Sequence, residues 1–478
     1  MTSTPRYPLG DDLSVSRVIN GLWQIADLER DGREFDIDQA ALAMSPYVDA
    51  GLTTFDMADH YGSAEDIAGI FGERAERLTK WTPRPGPITR EDARGAVEKS
   101  LSRLRTGALD LLQFHAWNFA DPSWLDALVH LQDLKREGLI RHLGVTNFDA
   151  AHLRIAVQTG IDLVSNQVSF SVLDSRAAGP LSDFCLAHNV RLLAYGTLLG
   201  GFLSGAWIGK EEPDWNHLET WSQMKYGRFI KAAGGWAALQ QVLRRLDEVA
   251  TKHAVPIATV ATRWVLDHQA VAAVIVGARL SKSAHIEDTL RVFDLTLDEE
   301  DRKTLATGQK YLRPLSGDCG DEYRKPPYLT ATGDLSHHFE EMPPPYPVRP
   351  GLNGRTLVLS DTPWEPLAGF SRGHRLDDRI WISGTTATHG ERAIGGNDPK
   401  AQFHFIVDKI EGALLSLGAT LNDVVRTRVF VRNVDDWEDV ARAHGERFRH
   451  IMPANTLVQA DLIGDEYLVE VEAEAVVV

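Results

Sequence analysis

Cysteine is nearly absent: Cys185 and Cys319 are the only two in 478 residues. Two thiols cannot build a disulfide framework, and no Cys/His spacing fits a zinc site, so no metal is expected. Positive charge is also in deficit. With 50 Lys and Arg against 67 Asp and Glu, the formal charge is −17. That excludes nonspecific binding to nucleic acid or to an anionic membrane, because both need a basic surface. Long apolar runs are missing, and stretches such as AVAAVIV (270–276) are far too short to cross a bilayer. The opening MTSTPRYPLG lacks the charged-then-apolar order of a signal peptide. A cytoplasmic protein is the expectation. No GxGxxG turn follows the first strand-like run, which argues against an open doubly wound sheet.

What is present is a soluble composition, 43% hydrophobic and 24% charged, in a chain long enough for two or three domains. From residue 17 to about 310, short β-rich runs alternate with longer helical patterns. The runs are RVINGLW (17–23), TTFD (53–56), ERLTKW (76–81), LDLLQFH (109–115), RHLGVTN (141–147), DLVSNQV (162–168), VRLLAYG (190–196) and AAVIVGA (272–278). Helix-period segments separate them, for example 90–105 and 121–138. The second has Asp121 as its expected N-cap, Pro122 at the first helical position and Gly138 as its stop. Eight strand–helix units predict an α/β fold, a closed (β/α)₈ TIM barrel over 1–311. Residues 312–361 are rich in Pro, Gly and charge and read as a connector, with His337 and His338 a solvated pair. From 362 to 478 a different order appears, β-α-β-α-β-β after an initial strand pair. It predicts a small α+β sheet with helices on one face.

A barrel carries its chemistry at the carboxyl ends of its strands. Asp56, Lys80, His115, Asn147, Gln167 and Tyr195 all fall at or just beyond such ends, and Tyr61 follows one turn after Asp56. Polar residues end many buried strands by default. Convergence from independent strands is harder to dismiss.

The first 310 residues resemble the aldo-keto reductase family. The likeness rests, in family order, on FDMADHYGSAE, LTK, SLSRLRTGALDLLQFH, LKREGLIRHLGVTNF, SNQV, LLAYGTLLGGFLSG and VIVGARLSKSAHIEDTL. It implies a catalytic set of Asp56, Tyr61, Lys80 and His115. A hydride delivered to a carbonyl leaves an alkoxide that needs a proton. Tyr61 would supply it, with the Lys80 cation lowering a phenol pKa that is ordinarily near 10. Asp56 would hold Lys80, and His115 would orient the carbonyl oxygen. Asp59 and His60 then read as turn residues. The resemblance also implies a nicotinamide dinucleotide, NADPH/NADP⁺ in preference to NADH. Thr146, Asn147 and Gln167 would hold its carboxamide, and Tyr195 would stack on its ring. Gly196, Thr197 and Leu198 would follow its pyrophosphate. Gly277, Arg279, Lys282 and Asp288 would meet its adenosine end. Trp23, Trp81 and Trp117 are candidate substrate walls, and the long 199–235 insertion is a candidate specificity loop. Aromatic packing is the alternative for each tryptophan.

Residues 362–478 resemble the Rid (YjgF-like) family, a chorismate-mutase-like α+β fold. The cues are GFSRGHRLDDRIWISGTTA, SLGATLNDVVRTRVFVRNVDDWEDV, FRHIMPANTLVQADL and YLVEVEAEAV. The family trimerises, and some members hydrolyse imines and enamines with an arginine in a P-A-R-T motif. Here the motif reads Pro453-Ala454-Asn455-Thr456. Asn455 cannot supply a fixed cationic fork. Glu470 matches an acidic cleft position, and Arg372 and Arg428 are the candidate replacement cations. The combined expectation is a NADP(H)-dependent oxidoreductase acting on a small carbonyl or alcohol, fused to a Rid-like ligand-binding or homotrimerising domain. The alternatives are a nonenzymatic nucleotide sensor or scaffold, and a bifunctional reductase and imine hydrolase.

Overall fold

The computed structural model describes residues 4–29, 35–280, 284–325, 329 and 342–478. A two-stranded hairpin, β1 (Arg6–Pro8) and β2 (Ser14–Ser16), precedes the first domain. Then come β3 (Val18–Gly21), β4 (Thr54–Asp56), β5 (Glu76–Trp81), β6 (Leu109–His115), β7 (Ile140–Thr146), β8 (Leu163–Ser169), β9 (Arg191–Tyr195) and β10 (Val271–Gly277). They pair in sequence order, and β10 returns to β3 to close an eight-stranded barrel. All the pairings are parallel.

The strands are short runs rich in apolar and β-branched residues, most fully in β10 (VAAVIVG), as expected of strands covered on both faces. Alternate side chains enter the barrel. Toward the amino ends, Ile19, Leu78, Leu111, Leu193 and Ala273 pack with Leu9, Leu13 and Val15 from the β1–β2 region, plugging the base. Two residues further along the same strands the inward layer turns polar: Lys80 follows Leu78, and Gln113 and His115 follow Leu111. Apolar filling below and polar groups above fix where chemistry can occur.

The helix Arg90–Leu104 starts with a reciprocal cap between Thr89 and Asp92. The helix Ser123–Arg136 begins one residue later than expected, with Pro122 at the cap position, while the Asp121 carboxylate accepts from the Ser123 N–H. Gly138 stops it in a left-handed conformation, φ +84°.

The second domain is a seven-stranded mixed sheet. Its strands are β11 (Val348–Pro350), β12 (Thr356–Val358), β13 (Gly373–Leu376), β14 (Arg379–Thr386), β17 (Val424–Val431), β18 (Ala454–Gln459) and β19 (Val469–Val476). A small hairpin, β15 (Thr388–His389) with β16 (Arg392–Ala393), stands apart. The sheet order is β11-β12-β13-β14-β19-β17-β18. The helices Pro399–Ser416 and Trp437–Phe448 supply its core, with Phe403, Ile406, Ile410 and Phe448 buried against alternate residues of β17 and β19. Within 312–361, then, β11 and β12 are strands of this sheet, and the short helix Asp321–Arg324 lies against the barrel mouth.

The two domains meet through charge. His152, on the barrel helix Ala150–Gln158, places Nδ1 2.7 Å from Asp149 and Nε2 3.1 Å from Asp408 of the helix Pro399–Ser416. Arg447 closes the chain by donating to Asp408 at 2.6 Å and to Glu411 at 3.0 Å. A second link joins Asp126 to His389, 2.8 Å, and to Arg392. No helix among the described residues is long and apolar enough to cross a membrane.

Candidate active site

Four strand ends deliver one polar layer. Lys80 on β5 stands opposite Gln113 on β6, His115 opposite Thr146 on β7, and Thr146 opposite Gln167 on β8. Lys80 Nζ donates to Asp56 Oδ2 at 2.7 Å. The other carboxylate oxygen of Asp56 accepts from Gln167 at 2.7 Å and Gln113 at 3.2 Å. Asp56 is 3% exposed and Lys80 3%, so this ion pair is sealed from water. Burial lowers the Lys80 pKa, and Asp56 and Asp59 oppose that shift without cancelling it.

Tyr61 follows from the turn after β4. Its ring lies edge-on to Trp23 at 4.9 Å, and Lys80 Nζ is 5.0 Å from the ring centre. The expected lowering of its pKa is not what this environment produces. Burial pushes the Tyr61 phenol well above its ordinary value, and Asp56, Tyr323 and Asp59 add to the shift. The Lys80 charge is spent on Asp56, so the phenol keeps its proton. His115 is buried, with its ring against Trp117 at 4.6 Å and Tyr323 at 5.4 Å.

These groups open into one cavity of about 680 Å³. Asp56, Tyr61, Lys80, His115, Thr146, Asn147, Gln167, Tyr195, Gly196, Thr197, Leu198, Gly277, Arg279 and Asp288 all line it. Gln167 is divided: its amide nitrogen already serves Asp56. Asn147 adopts φ +60°, and its side-chain oxygen accepts from the Tyr195 hydroxyl at 2.7 Å. Lys282 falls outside the described residues, as do His337 and His338. Trp23 and Trp117 line the cavity, but Trp81 does not. It packs beneath, 5.8 Å from Phe114. Trp81 is one residue beyond Lys80, so the strand pleat turns it to the opposite face.

Several lining residues escaped sequence reasoning. Asn20 and Gln24 come from the end of β3 and the helix after it, and His285 and Thr289 neighbour Asp288. His60, read as a turn residue, also reaches the cavity, with its ring 4.9 Å from Tyr61. Lys225 comes from the helix Trp221–Ala232 inside the 199–235 insertion, next to Tyr226, one of the aromatics expected there, and Tyr323 from the helix Asp321–Arg324. That last helix is tied down. Arg324 donates to the carbonyls of Ala116 and Asn147, at 2.9 and 2.6 Å. Arg176 donates to Glu322 at 3.0 Å.

In the second domain the expected cleft residues are placed differently. Arg372 is buried and donates to Gly384 O at 2.7 Å, Thr385 Oγ1 at 3.0 Å and Ser360 Oγ at 3.2 Å. Arg428 pairs with Glu472 and Glu474, at 2.8 and 3.2 Å. Both cations are therefore engaged within the chain. Asn455 is exposed on the edge strand β18. Glu470 lies against Gly384, and burial and Glu472 raise its pKa.

Comparison with known proteins gives the same division. The aldo/keto reductase family model matches residues 17–307, and the endoribonuclease L-PSP family model matches residues 361–477. Flagellar radial spoke protein 5 of Chlamydomonas reinhardtii is 34% identical over 177 residues. That match covers 33% of this chain and 33% of the relative, so the chain spans about a third of the relative's length. The solved glycerol dehydrogenase from Gluconobacter oxydans is 25% identical, with a TM-score of 0.54 over 66% of this chain and 98% of its own. A solved YjgF/YER057c/UK114 family member from Mycobacterium tuberculosis is 38% identical, covering 26% of this chain and 99% of its own, with a TM-score of 0.24. The chain belongs to the aldo/keto reductase family, and a Rid/YjgF-like domain follows its barrel.

Proposed function

We propose that the barrel is a NADP(H)-dependent oxidoreductase that reduces a small aldehyde or ketone, or oxidises the matching alcohol or sugar. One observation carries this reading: Asp56 and Tyr61 from the end of β4 and the turn after it, Lys80 from β5 and His115 from β6 converge on a single cavity. The likeness to a glycerol dehydrogenase agrees with it.

The residues present fit a nicotinamide dinucleotide. Arg279 lines the cavity, and its Nε lies buried with no hydrogen-bond partner among the described residues. A 2′-phosphate there would satisfy it, which favours NADPH over NADH. Lys282, beyond the described residues, would add a second cation. When bound, the cofactor supplies or takes the hydride. The chain's own residues do the rest. Thr146, Asn147 and Gln167 orient the carboxamide, and Tyr195 offers its ring face. Gly196, Thr197 and Leu198 follow the pyrophosphate, and Gly277 and Asp288 border the adenosine. Tyr61 gives its proton to the carbonyl oxygen, His115 orients that oxygen, and the Lys80–Asp56 pair fixes the field around the phenol. Trp23 and Trp117 wall the substrate.

The reading extends to the whole chain. Its parts are a barrel over 1–311, a connector over 312–361 and a Rid-like domain over 362–478 that binds a ligand or assembles a homotrimer. Arg372 and Arg428 are engaged internally, so imine hydrolysis in this domain lacks its cation. The buried, unpaired thiols Cys185 and Cys319 suit a reducing cytoplasm.

The test is NADPH oxidation against a panel of aldehydes, ketones and sugars, with Tyr61→Phe beside wild type. The variant is expected to lose about 10²- to 10⁴-fold in turnover while NADPH still quenches protein fluorescence. Tight NADPH binding with no turnover in either direction would sink the enzyme reading in favour of a nucleotide sensor.

A further inference from the structure

Lys225 has no place in the chemistry above. It projects from the helix Trp221–Ala232 into the cavity. Its ammonium donates to the Tyr323 hydroxyl at 2.6 Å. It also lies 4.6 Å from the ring centre of Tyr195, 5.0 Å from that of Tyr323 and 5.2 Å from that of Tyr226. Three aromatic rings and one phenol oxygen surround it. No carboxylate among the described residues pairs with it. Glu322 contributes to its field, but that carboxylate accepts from Arg176 and from the Gly320 N–H. Burial opposes the charge, yet Tyr226, Tyr323 and Glu322 outweigh it and hold the Lys225 pKa above the ordinary lysine value.

Lys225 is partly buried, and a cation drawn out of bulk water normally takes an anionic partner. Ring quadrupoles replace only part of its lost hydration. Lys225 is therefore a charged donor with unmet demand, and it faces open volume. Its position says which end of the cavity it serves. Tyr323, which binds it, also has its ring 5.4 Å from His115. Tyr195, which it overlies, is bonded to Asn147. Both rings therefore stand beside the residues assigned to the reacting end, His115 and Asn147.

We propose that Lys225 is an anion subsite for the substrate, so that the preferred carbonyl compound carries a carboxylate, with Tyr323 setting the direction of the ammonium. This rests on the reading of the barrel as a reductase. In that reading the carbonyl lies at Tyr61 and His115, and the carboxylate reaches across to Lys225.

Two ligand pairs test it. In turnover with NADPH, 4-carboxybenzaldehyde is compared with benzaldehyde. In binding alone, calorimetry compares 4-carbamoylbenzoate with benzamide on the NADPH-loaded protein. A charge-assisted hydrogen bond predicts a preference for the anionic member of about tenfold to hundredfold in each pair. Lys225→Met is expected to bring both ratios close to one, mainly through KM, and Lys225→Arg to restore part of the preference. Lys225→Gln serves as a second neutral variant should the methionine variant fail to fold. Equal use of both members by wild type, or a preference that survives loss of the cation, would overturn the proposal. So would weakened NADPH binding in Lys225→Met without a change in either ratio, which would assign the ammonium to cofactor phosphates. The binding pair needs no turnover, so failure of the reductase reading would be seen separately.

Discussion

Tyr61 holds its proton tightly because its anion would be buried beside Asp56 and Asp59. A phenol with a raised pKa is a ready acid and a reluctant base. In reduction it enters each cycle already protonated, so carbonyl turnover should change little between about pH 6 and about pH 9. In oxidation the phenolate must form first, so alcohol turnover should rise with pH through the same range. Paired pH profiles of kcat/KM would show this. A reductive rate that falls as pH rises through neutrality would mean that the phenol ionises near 7 and that the Lys80 charge, not burial, governs it.

At the scale of elements, the decisive contact is helix on helix, Ala150–Gln158 against Pro399–Ser416. His152 bridges Asp149 and Asp408, and its ring stacks on Phe119 at 3.6 Å. Burial opposes its charge, but the two aspartates outweigh it and raise its pKa to about 9. A raised pKa means that the stabilisation is complete below the unfolded histidine value, about 6.5, and is lost as pH climbs through about 9. His152→Ala leaves two buried carboxylates with less compensation and is expected to cost about 3–5 kcal/mol. Urea unfolding of the two proteins at neutral pH measures it, and a loss below about 1 kcal/mol would show that the bridge is energetically idle.

Sequence patterning predicted these elements well where a local rule governs them. Each of the eight runs falls within two residues of a barrel strand, because short β-rich runs recurring between helical patterns have few other folds open to them. Asp56, Lys80 and His115 were legible for the same reason, since a strand's end is written in its own residues. Lys225 and Tyr323 were not. The 199–235 insertion reads as a specificity loop through its aromatics, which does not single out Lys225, and Tyr323 sits in a stretch whose Pro and Gly content suggests a spacer. Their positions come from tertiary packing: Arg324 on the carbonyls of Ala116 and Asn147, and Arg176 on Glu322. Trp81 was misplaced because a strand end alone does not say which face a side chain takes.

For the whole molecule, the second domain's sheet ends in two edge strands, β11 and β18, and the β18 edge is the one flanked by exposed apolar side chains. On β18, Asn455 and Val458 are exposed, and nearby Val425, Met452 and Ile463 are exposed as well. Single apolar residues on a surface are ordinary, but a run of them beside an unpaired strand edge is a liability that assembly removes. The homotrimer of the proposed function would use this region. Light scattering is expected to give a mass three times that of one chain, and a monomer at micromolar concentration would count against it.

The bridge through His152 also bears on how this chain can change over time. Each domain now supplies a counter-charge for a group buried in the other: Asp408 for the barrel's His152, and His152 for that aspartate of the partner helix. Discarding the second domain in one step would strip the His152 Nε2 of its Asp408 partner and expose the Asp149–His152 pair at a newly wetted surface, beside the segment that positions Asn147. The fusion therefore works as a ratchet. Separating the domains requires several compensating substitutions at once, whereas the enzyme pocket and the Rid-like sheet remain free to drift independently.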